Sequence, residues 1–197
     1  MKLVPNSGAD RVIDLLRPHL QPGGQLGCVT PALSLFAFAE LRHALASLEQ
    51  TQLILPPDDE ALEFLGSEGD RIHRNQLQAR WLANQCAQWL STGKVQVRRA
   101  PGRVPQGAAV LRASDGTAAQ VVLGSFAFST DGLGLTPGNP LNLIQASETA
   151  AEAAQLAQWF EHQWAALRTQ PESQGALVAA LRSRGAHQAP YAVYALI

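Results

Sequence analysis

The most informative part of the chain is residues 93–145, which read GKVQVRRAPGRVPQGAAVLRASDGTAAQVVLGSFAFSTDGLGLTPGNPLNLIQ. Val95 and Val97 alternate with polar neighbours, and this period of two predicts a β-strand. Residues 108–123 contain two apolar runs separated by a Ser-Asp-Gly turn, which predicts a β-hairpin. This part of the chain is therefore predicted to contribute several strands to a sheet.

The predicted hairpin is followed by a loop, a strand and a long helix. A glycine-rich loop covers 124–138, and residues 141–145 predict one more short strand. Ser147 is the expected N-cap of a helix over 148–168. Apolar side chains are expected along one side of this helix: Leu156, Phe160, Trp164 and Leu167.

The residues before this stretch alternate between predicted helices and strands. Ser7 and Asp10 resemble a capping box that opens a helix over 8–20, and Thr30-Pro31 predicts the start of a helix that reaches residue 49. The other predicted elements are strands over 25–29 and 52–55, a short acidic helix over 58–65 and a helix over 71–91 with Leu82, Cys86, Trp89 and Leu90 inward. This order predicts an α/β fold with a mixed sheet.

The composition is that of one globular domain. The chain has 197 residues, of which 46% are hydrophobic and 16% charged, and this excludes a disordered chain or a collagen. No apolar run approaches the ~20 residues of a membrane span. Because no signal peptide is visible, we expect a cytoplasmic protein in which Cys28 and Cys86 are free buried thiols and no zinc is bound.

The charge is distributed very unevenly along the chain. Residues 1–70 carry four Lys or Arg against ten Asp or Glu, whereas residues 71–114 carry eight basic residues and no acidic one. One interpretation is a phosphate-facing surface. The other is that these arginines pair with the acidic run over 58–70. A bias toward arginine also fits, since the chain has thirteen Arg and two Lys.

The order of motifs over 94–164 resembles the nuclease-like branch of the phospholipase D-like superfamily. That family has Gly-Ser-x-Asn-φ-Thr, then Gly-Leu, a further strand, and a closing helix with Trp-Phe and Trp. The matching positions here are Gly124 to Ser129, Gly132-Leu133, Asn142, Trp159-Phe160 and Trp164. The resemblance covers about residues 1–168 and implies an α/β/α sandwich around a mixed β-sheet.

The same resemblance shows which catalytic residues are replaced. In that family a histidine attacks phosphorus, a lysine neutralises the non-bridging oxygens, and the serine and asparagine of the glycine-rich turn donate to the same phosphate without a metal. Gln106 stands in place of the histidine, Ala108 in place of the lysine and Ala127 in place of the asparagine, while Ser125 and Ser129 remain. An amide cannot form a phospho-enzyme, so these residues argue against catalysis, and no cofactor or metal is expected.

No other residue type offers an alternative centre. The histidines lie on or beside predicted helices or in the tail, where a surface position is the ordinary interpretation (His19, His43, His73, His162 and His187). The tryptophans have helical spacing, and core packing rather than base stacking is expected for at least three of them (Trp81, Trp89, Trp159 and Trp164).

The last residues suggest a larger parent protein. We expect residues 1–168 to form the domain and 169–197 to form a linker, with a short helix over 175–184 after Pro171. The segment from Pro190 to Ile197 is similar to the linker that leads into the motor of Swi/Snf-like bacterial helicases, which often carry an N-terminal phospholipase D-like domain. The resemblance implies a helicase motor region in the same parent chain.

These observations favour a binding module over an enzyme. The expected function is a non-catalytic accessory domain that binds the DNA phosphate backbone, forms a homodimer, or does both. The proposed phosphate contacts are Arg98, Arg99, Arg103, Arg112, Ser125 and Ser129. Two alternatives remain: an active metal-independent nuclease or phosphodiesterase, and a purely structural dimerisation or docking platform.

Overall fold

The computed structural model describes residues 1–57 and 76–186, with a backbone-only description of 76 and 77. It has an α/β fold, as the sequence predicts, with one seven-stranded sheet in the order β1-β7-β6-β5-β2-β3-β4. The strands are β1 (Lys2–Leu3), β2 (Gln25–Val29), β3 (Gln50–Leu55), β4 (Val95–Arg99), β5 (Gly107–Arg112), β6 (Ala118–Gly124) and β7 (Ile144–Ala146). The helices are α1 (Val12–Leu16), which continues as a 3-10 turn over Arg17–His19, α2 (Leu35–Ser47), α3 (Gln76–Leu90), α4 (Ala150–Ala166) and α5 (Pro171–Ala186).

The sheet is mixed because its two halves are connected differently. Strands β2, β3 and β4 pair in parallel through the helical crossovers, whereas β5 pairs antiparallel with both β2 and β6. The predicted hairpin is confirmed as β5 and β6, joined by a turn at 113–117. Strand β7 is shorter than predicted, since it begins at Ile144, and Asn142 precedes it.

Side chains alternate between the two faces of the sheet, and each face has its own core. On β3, Leu53 and Leu55 belong to the larger cluster with α1, α2, α3 and α5, whereas Ile54 belongs to a smaller cluster under α4. On β5, Val110 likewise faces α4, between two residues of the larger core. This period of two is what the pleat imposes on a strand buried on both sides.

Three predicted helix caps are wrong. Ser7, Thr30 and Ser147 each accept a hydrogen bond from a residue that lies outside the observed helix α1, α2 or α4, respectively. Ser7 and Asp10 form an isolated bridge, and α1 begins only at Val12. The cap of α2 is Ser34 rather than Thr30, and its hydroxyl accepts from the amides of Phe36 and Ala37. The cap of α4 is Thr149, in a capping box with Glu152, while Ser147 accepts from the amide of Val121.

Helix α5 lies beyond the predicted domain boundary at residue 168 and contributes to the main core. Leu177, Val178 and Leu181 are buried there with residues of α3. The side chain of Gln174 binds the edge strand β4: its Nε2 donates to the carbonyl of Val95 at 3.1 Å and its Oε1 accepts from the amide of Val97 at 3.2 Å. The described core therefore extends past residue 168.

Several predictions fall on residues that the structure does not describe. These are the acidic run and short helix over 58–70, the first turn of the helix predicted over 71–91, and the segment over 187–197. Arg71, Arg74, His73 and His187 belong to the same group. Pairing between the arginines and the acidic run, and the similarity of the tail to a motor linker, stay predictions.

Candidate functional site

A cavity of about 420 Å³ opens where the parallel strands end. We call it the strand-end pocket. It lies beyond the carboxyl ends of β2, β3 and β4, beside the first residues of β5, and α4 forms one wall. Ligands of open α/β sheets bind at such carboxyl ends, at the point where the strand connections change direction. Here that point is the antiparallel pairing of β2 with β5.

The floor of the strand-end pocket is a row of residues that are neighbours across the sheet. Ile54 pairs with Val29, Val29 with Ala108, and Ala108 with Leu123, so their side chains share the face toward α4. Ala108 is the smallest of the four and lies between two larger apolar residues. The depression is therefore deepest at the position where the family resemblance expects a lysine.

The replaced catalytic positions converge at this end of the sheet. Gln106 is exposed and lines the strand-end pocket with the buried Ala108. Gly107 pairs with Gly124, which brings the start of β5 beside the segment that begins at Ser125. Gln106, Ala108 and Ser125, which the sequence indicates as site positions, therefore lie at the same end of the sheet.

A second cavity, of about 260 Å³, contains the remaining motif residues. We call it the motif-loop pocket. Ser125, Ala127, Ser129 and Asn142 line it, and Pro105 lines both this pocket and the strand-end pocket. Gln106 and Ala108 therefore face one cavity. The other cavity is lined by Ser125, Ala127, Ser129 and Asn142.

The two serines differ in what their hydroxyl groups can do. Ser125 is exposed, while Ser129 is buried and its Oγ accepts from the amide of Gly132 at 3.2 Å. Asp131 also lines the motif-loop pocket, and among the described residues no donor reaches its buried Oδ1 atom. A carboxylate in this pocket repels a phosphate, so the motif-loop pocket is poorly suited to an anion.

The loop over 125–132 is held by residues that the sequence analysis did not identify as important. Thr30 is fully buried, and its Oγ1 accepts from the amide of Phe128 at 2.8 Å and donates to the carbonyl of Ala32 at 2.6 Å. Asn6 donates from Nδ2 to the carbonyls of Asp131 and Gly132, both at 3.0 Å. The bonds to Phe128, Asp131 and Gly132 join positions that are 98 to 126 residues apart, and only the folded chain reveals them.

Arg98 is bound to the end of α4. Its guanidinium lies 4.3 Å from the ring centroid of Trp164 and donates to the carbonyls of Trp164 and Leu167, the latter at 3.0 Å. Carbonyl groups at a helix C-terminus carry partial negative charge and lack helical partners, so a cation is stabilising there. This contact accounts for one of the arginines without any ligand.

The other three proposed arginines lie in different surroundings. Arg99 donates to the carbonyl of Pro56 at 3.0 Å. Arg112 donates to Glu161 at 2.7 Å, and it lies four strand residues from Ala108, about 13 Å further along β5. Arg103 is exposed and lines the strand-end pocket. Arg112 therefore lies away from the loop that contains Gln106, and the phosphate-binding role of all four stays a prediction.

The tryptophans are split evenly between core and surface. Trp89 and Trp164 are buried, whereas Trp81 and Trp159 are 48% and 45% exposed. The expectation that at least three pack in the core is therefore wrong. Helical spacing did not show that Trp159 lies just outside the buried face of α4, next to Phe160, and lines the strand-end pocket.

The described histidines and cysteines lie outside the strand-end pocket and the motif-loop pocket. His19, His43 and His162 lie on helical elements, as predicted, and neither cavity includes them. Cys28 and Cys86 are free and buried, and burial raises the pKa of both thiols to about 12. At neutral pH they carry no thiolate and are unreactive.

Two features are absent from the described residues: a metal-binding cluster and a membrane-spanning helix. No cluster of three or more His, Cys, Asp or Glu in this part of the chain could hold a metal ion. No helix among the same residues has the length and apolar character needed to span a membrane. A comparison with models of protein families finds none that matches the chain, and a comparison with curated proteins finds no match.

Proposed function

We propose that this chain is a non-catalytic domain of phospholipase D-like ancestry that binds the DNA phosphate backbone at the strand-end pocket. It would serve as an accessory domain of a helicase-like protein. The observation that carries the proposal is the convergence of Gln106, Ala108 and Ser125 at one end of the sheet, beside the exposed Arg103. A surface that brings these residues to one end of the sheet without a nucleophile is suited to binding rather than to catalysis.

The residues present argue against catalysis. In the described part of the chain, neither cavity is lined by a histidine, cysteine or lysine. Ser125 has no histidine there to remove its proton, so its hydroxyl stays a weak nucleophile. The amide of Gln106 donates and accepts hydrogen bonds but cannot attack phosphorus.

The exposed polar residues near Pro105 suggest where a phosphate would bind. Arg103 is exposed at the mouth of the strand-end pocket, and Gln106 and Ser125 are exposed close to it. Asp131 disfavours an anion in the neighbouring motif-loop pocket. The phosphate is therefore expected on the Arg103 side of Pro105, which lines both cavities.

The test is the anisotropy of a fluorescent DNA duplex titrated with this chain in EDTA across a salt series. Each phosphate that a cation neutralises contributes about −0.9 to the slope of log K against log salt. We expect Arg103→Ala to reduce the magnitude of the slope by about one. Arg17→Ala is the matched control, because that exposed arginine pairs with Glu40 and lines neither pocket, and it should leave the slope unchanged.

Three outcomes would contradict the proposal. Absence of duplex binding at low salt would remove the duplex backbone as the partner, and an equal effect of the two arginine variants would remove the site. Cleavage of the labelled duplex in EDTA would support the nuclease alternative. Gln106→His combined with Ala108→Lys would then be the informative variant, since it restores both replaced groups.

One observation favours pairing of two chains as a second candidate function. Leu141 and Leu143 are large apolar residues that are mostly exposed, and they flank Asn142 at the motif-loop pocket. A homodimer through this surface would bury them. Analytical ultracentrifugation should then give a dimer whose mass is independent of salt and of DNA, and Leu141→Ser with Leu143→Ser should convert it to a monomer.

A further inference from the structure

The strand-end pocket is more apolar than a phosphate backbone requires. Its floor is formed by Ile54, Val29, Ala108 and Leu123, and Trp159 lies at its rim. A duplex backbone presents phosphates and sugars, which need cations and hydrogen-bond donors but no apolar cavity. The depression beside Arg103 therefore fits a ligand that has a flat apolar part as well as a negative charge.

We propose that the strand-end pocket holds one unpaired nucleobase of a DNA strand, with its ring against the apolar floor and Trp159, and its phosphate at Arg103. This inference rests on the proposed function and names the form of DNA: single strands and unpaired bases are preferred over intact duplex. Base stacking on an aromatic side chain tolerates any sequence, because every base has a π-face.

The size and lining of the pocket support this occupant. A volume of about 420 Å³ lies in the usual range for small-ligand sites, roughly 300–1,000 Å³. Two amides, from Gln106 and Gln163, line the apolar cavity and can pair with the polar edge of a base. A base inside a duplex is stacked and paired, so it cannot enter unless the strand opens there.

The polar residues that line the strand-end pocket favour a nucleotide over an apolar peptide. Arg103 and the two amides offer nothing to a purely apolar side chain, whereas a nucleotide uses the cation, the amides and the apolar floor together. The exposure of Trp159 is consistent with the same role. A tryptophan that is 45% exposed leaves much of its ring surface available to a ligand.

The experiment compares three probes by fluorescence anisotropy or competition in EDTA: a labelled oligothymidine of about twelve nucleotides, a duplex of mixed sequence, and thymidine monophosphate. We expect the single strand to bind more tightly than the duplex. Trp159→Ala should weaken single-strand binding about tenfold and duplex binding less than twofold. Trp81→Ala is the matched control, since this tryptophan is 48% exposed on α3 and packs near Arg42, and it should change neither.

A second variant keeps the test valid if Trp159→Ala perturbs α4. Ala108→Leu adds a side chain to the floor of the pocket and occupies the depression without removing any contact. It should abolish the preference for the single strand, while thermal melting should show that the protein stays folded.

The outcomes distinguish this inference from the proposed function. Duplex binding that depends on Arg103, with no preference for the single strand and no effect of either variant, would overturn the base pocket and leave backbone binding standing. Absence of binding to all DNA would overturn both. Binding of the free monophosphate alone would also overturn the inference, because it would make the ligand a nucleotide rather than a strand. A dimer that occludes the pocket and excludes every probe would overturn it in favour of a second copy.

Discussion

The strand-end pocket and the motif-loop pocket adjoin at Pro105, yet their linings are opposite in character. The first is largely apolar with an exposed arginine, and the second is mixed, with hydroxyl and amide groups and the carboxylate of Asp131 beside apolar residues. In the family that the chain resembles, the corresponding residues act on one phosphate. Here Gln106 and Ala108 face the first pocket while Ser129 and Asn142 line the second. Under the proposed ancestry, the positions that would act on one phosphate lie here in two different environments.

In the proposed function, the charge of the lining residues, and not the loop geometry, selects which cavity takes the phosphate. Both cavities lie at the same end of the sheet and are bordered by well-ordered backbone contacts. Of these two cavities, the strand-end pocket is the one whose described lining contains a cation and no carboxylate. Three substitutions test this comparison.

The largest effect is expected from Gly27→Ala, which acts on the packing of α4. A Cβ atom at Gly27 would lie 2.5 Å from the ring of Phe160, which is almost completely buried and stacks on Trp164. Overpacking of this kind lowers the free energy of unfolding by about 3 kcal/mol, as chemical denaturation would measure. It should also displace the wall of the strand-end pocket.

The control for this substitution is Gly93→Ala, because a Cβ atom there meets no atom within 4 Å. Its free energy of unfolding should change by less than about 0.5 kcal/mol. Equal effects of the two variants would mean that the contact between Gly27 and Phe160 does not fix α4.

A smaller effect is expected from Thr30→Val, which acts on the motif-loop pocket. The valine keeps the shape but leaves the buried amide of Phe128 without its acceptor. An unsatisfied buried donor lowers stability by about 2 kcal/mol. Thr92→Val is the control, because it removes a hydroxyl bond of similar length, to the carbonyl of Trp89, at an exposed residue where water can replace the bond, and it should change stability by less than about 1 kcal/mol. If single-strand DNA binding falls as well, the two pockets are not independent.

The smallest effect is expected from Asp131→Asn, which removes the carboxylate of the motif-loop pocket. Duplex affinity at low salt should rise about two- to threefold, because a charge that repels the phosphate is lost, and the gain should disappear at high salt. Asp115→Asn, in the hairpin turn at the other end of β5 and β6, should leave the affinity unchanged. A decrease for Asp131→Asn in the anisotropy titration would place the carboxylate in a binding role.

The parts of the fold that the sequence predicts are those governed by local periodicity. Alternation of apolar residues predicts β4, and two apolar runs around a Ser-Asp-Gly turn predict the hairpin of β5 and β6. Helical spacing predicts the buried side of α3. In both cases a residue's environment follows from its neighbours in the chain. The fold class followed from the order of these elements.

The errors arise where a side chain finds a distant partner. Thr30 and Ser147 have the sequence context of helix caps, yet their hydroxyl groups serve Phe128 and Val121, which lie far along the chain. Arg98 appeared available for phosphate, but the end of α4 takes its guanidinium. Composition shows that a cationic segment exists, whereas only the tertiary structure shows which of its guanidinium groups already have acceptors.

The bonds from Gln174 to β4 have a consequence for self-association. Strand β4 is one edge of the sheet, and an exposed edge is a template on which another chain can add a strand. The amide of Gln174 occupies the donor of Val97 and the acceptor of Val95, while the opposite edge, β1, is only two residues long. Among the described residues, neither edge offers a free ladder of useful length, so this part of the sheet is protected against growth from copy to copy. Any pairing of this domain must therefore use side-chain surfaces rather than a shared sheet.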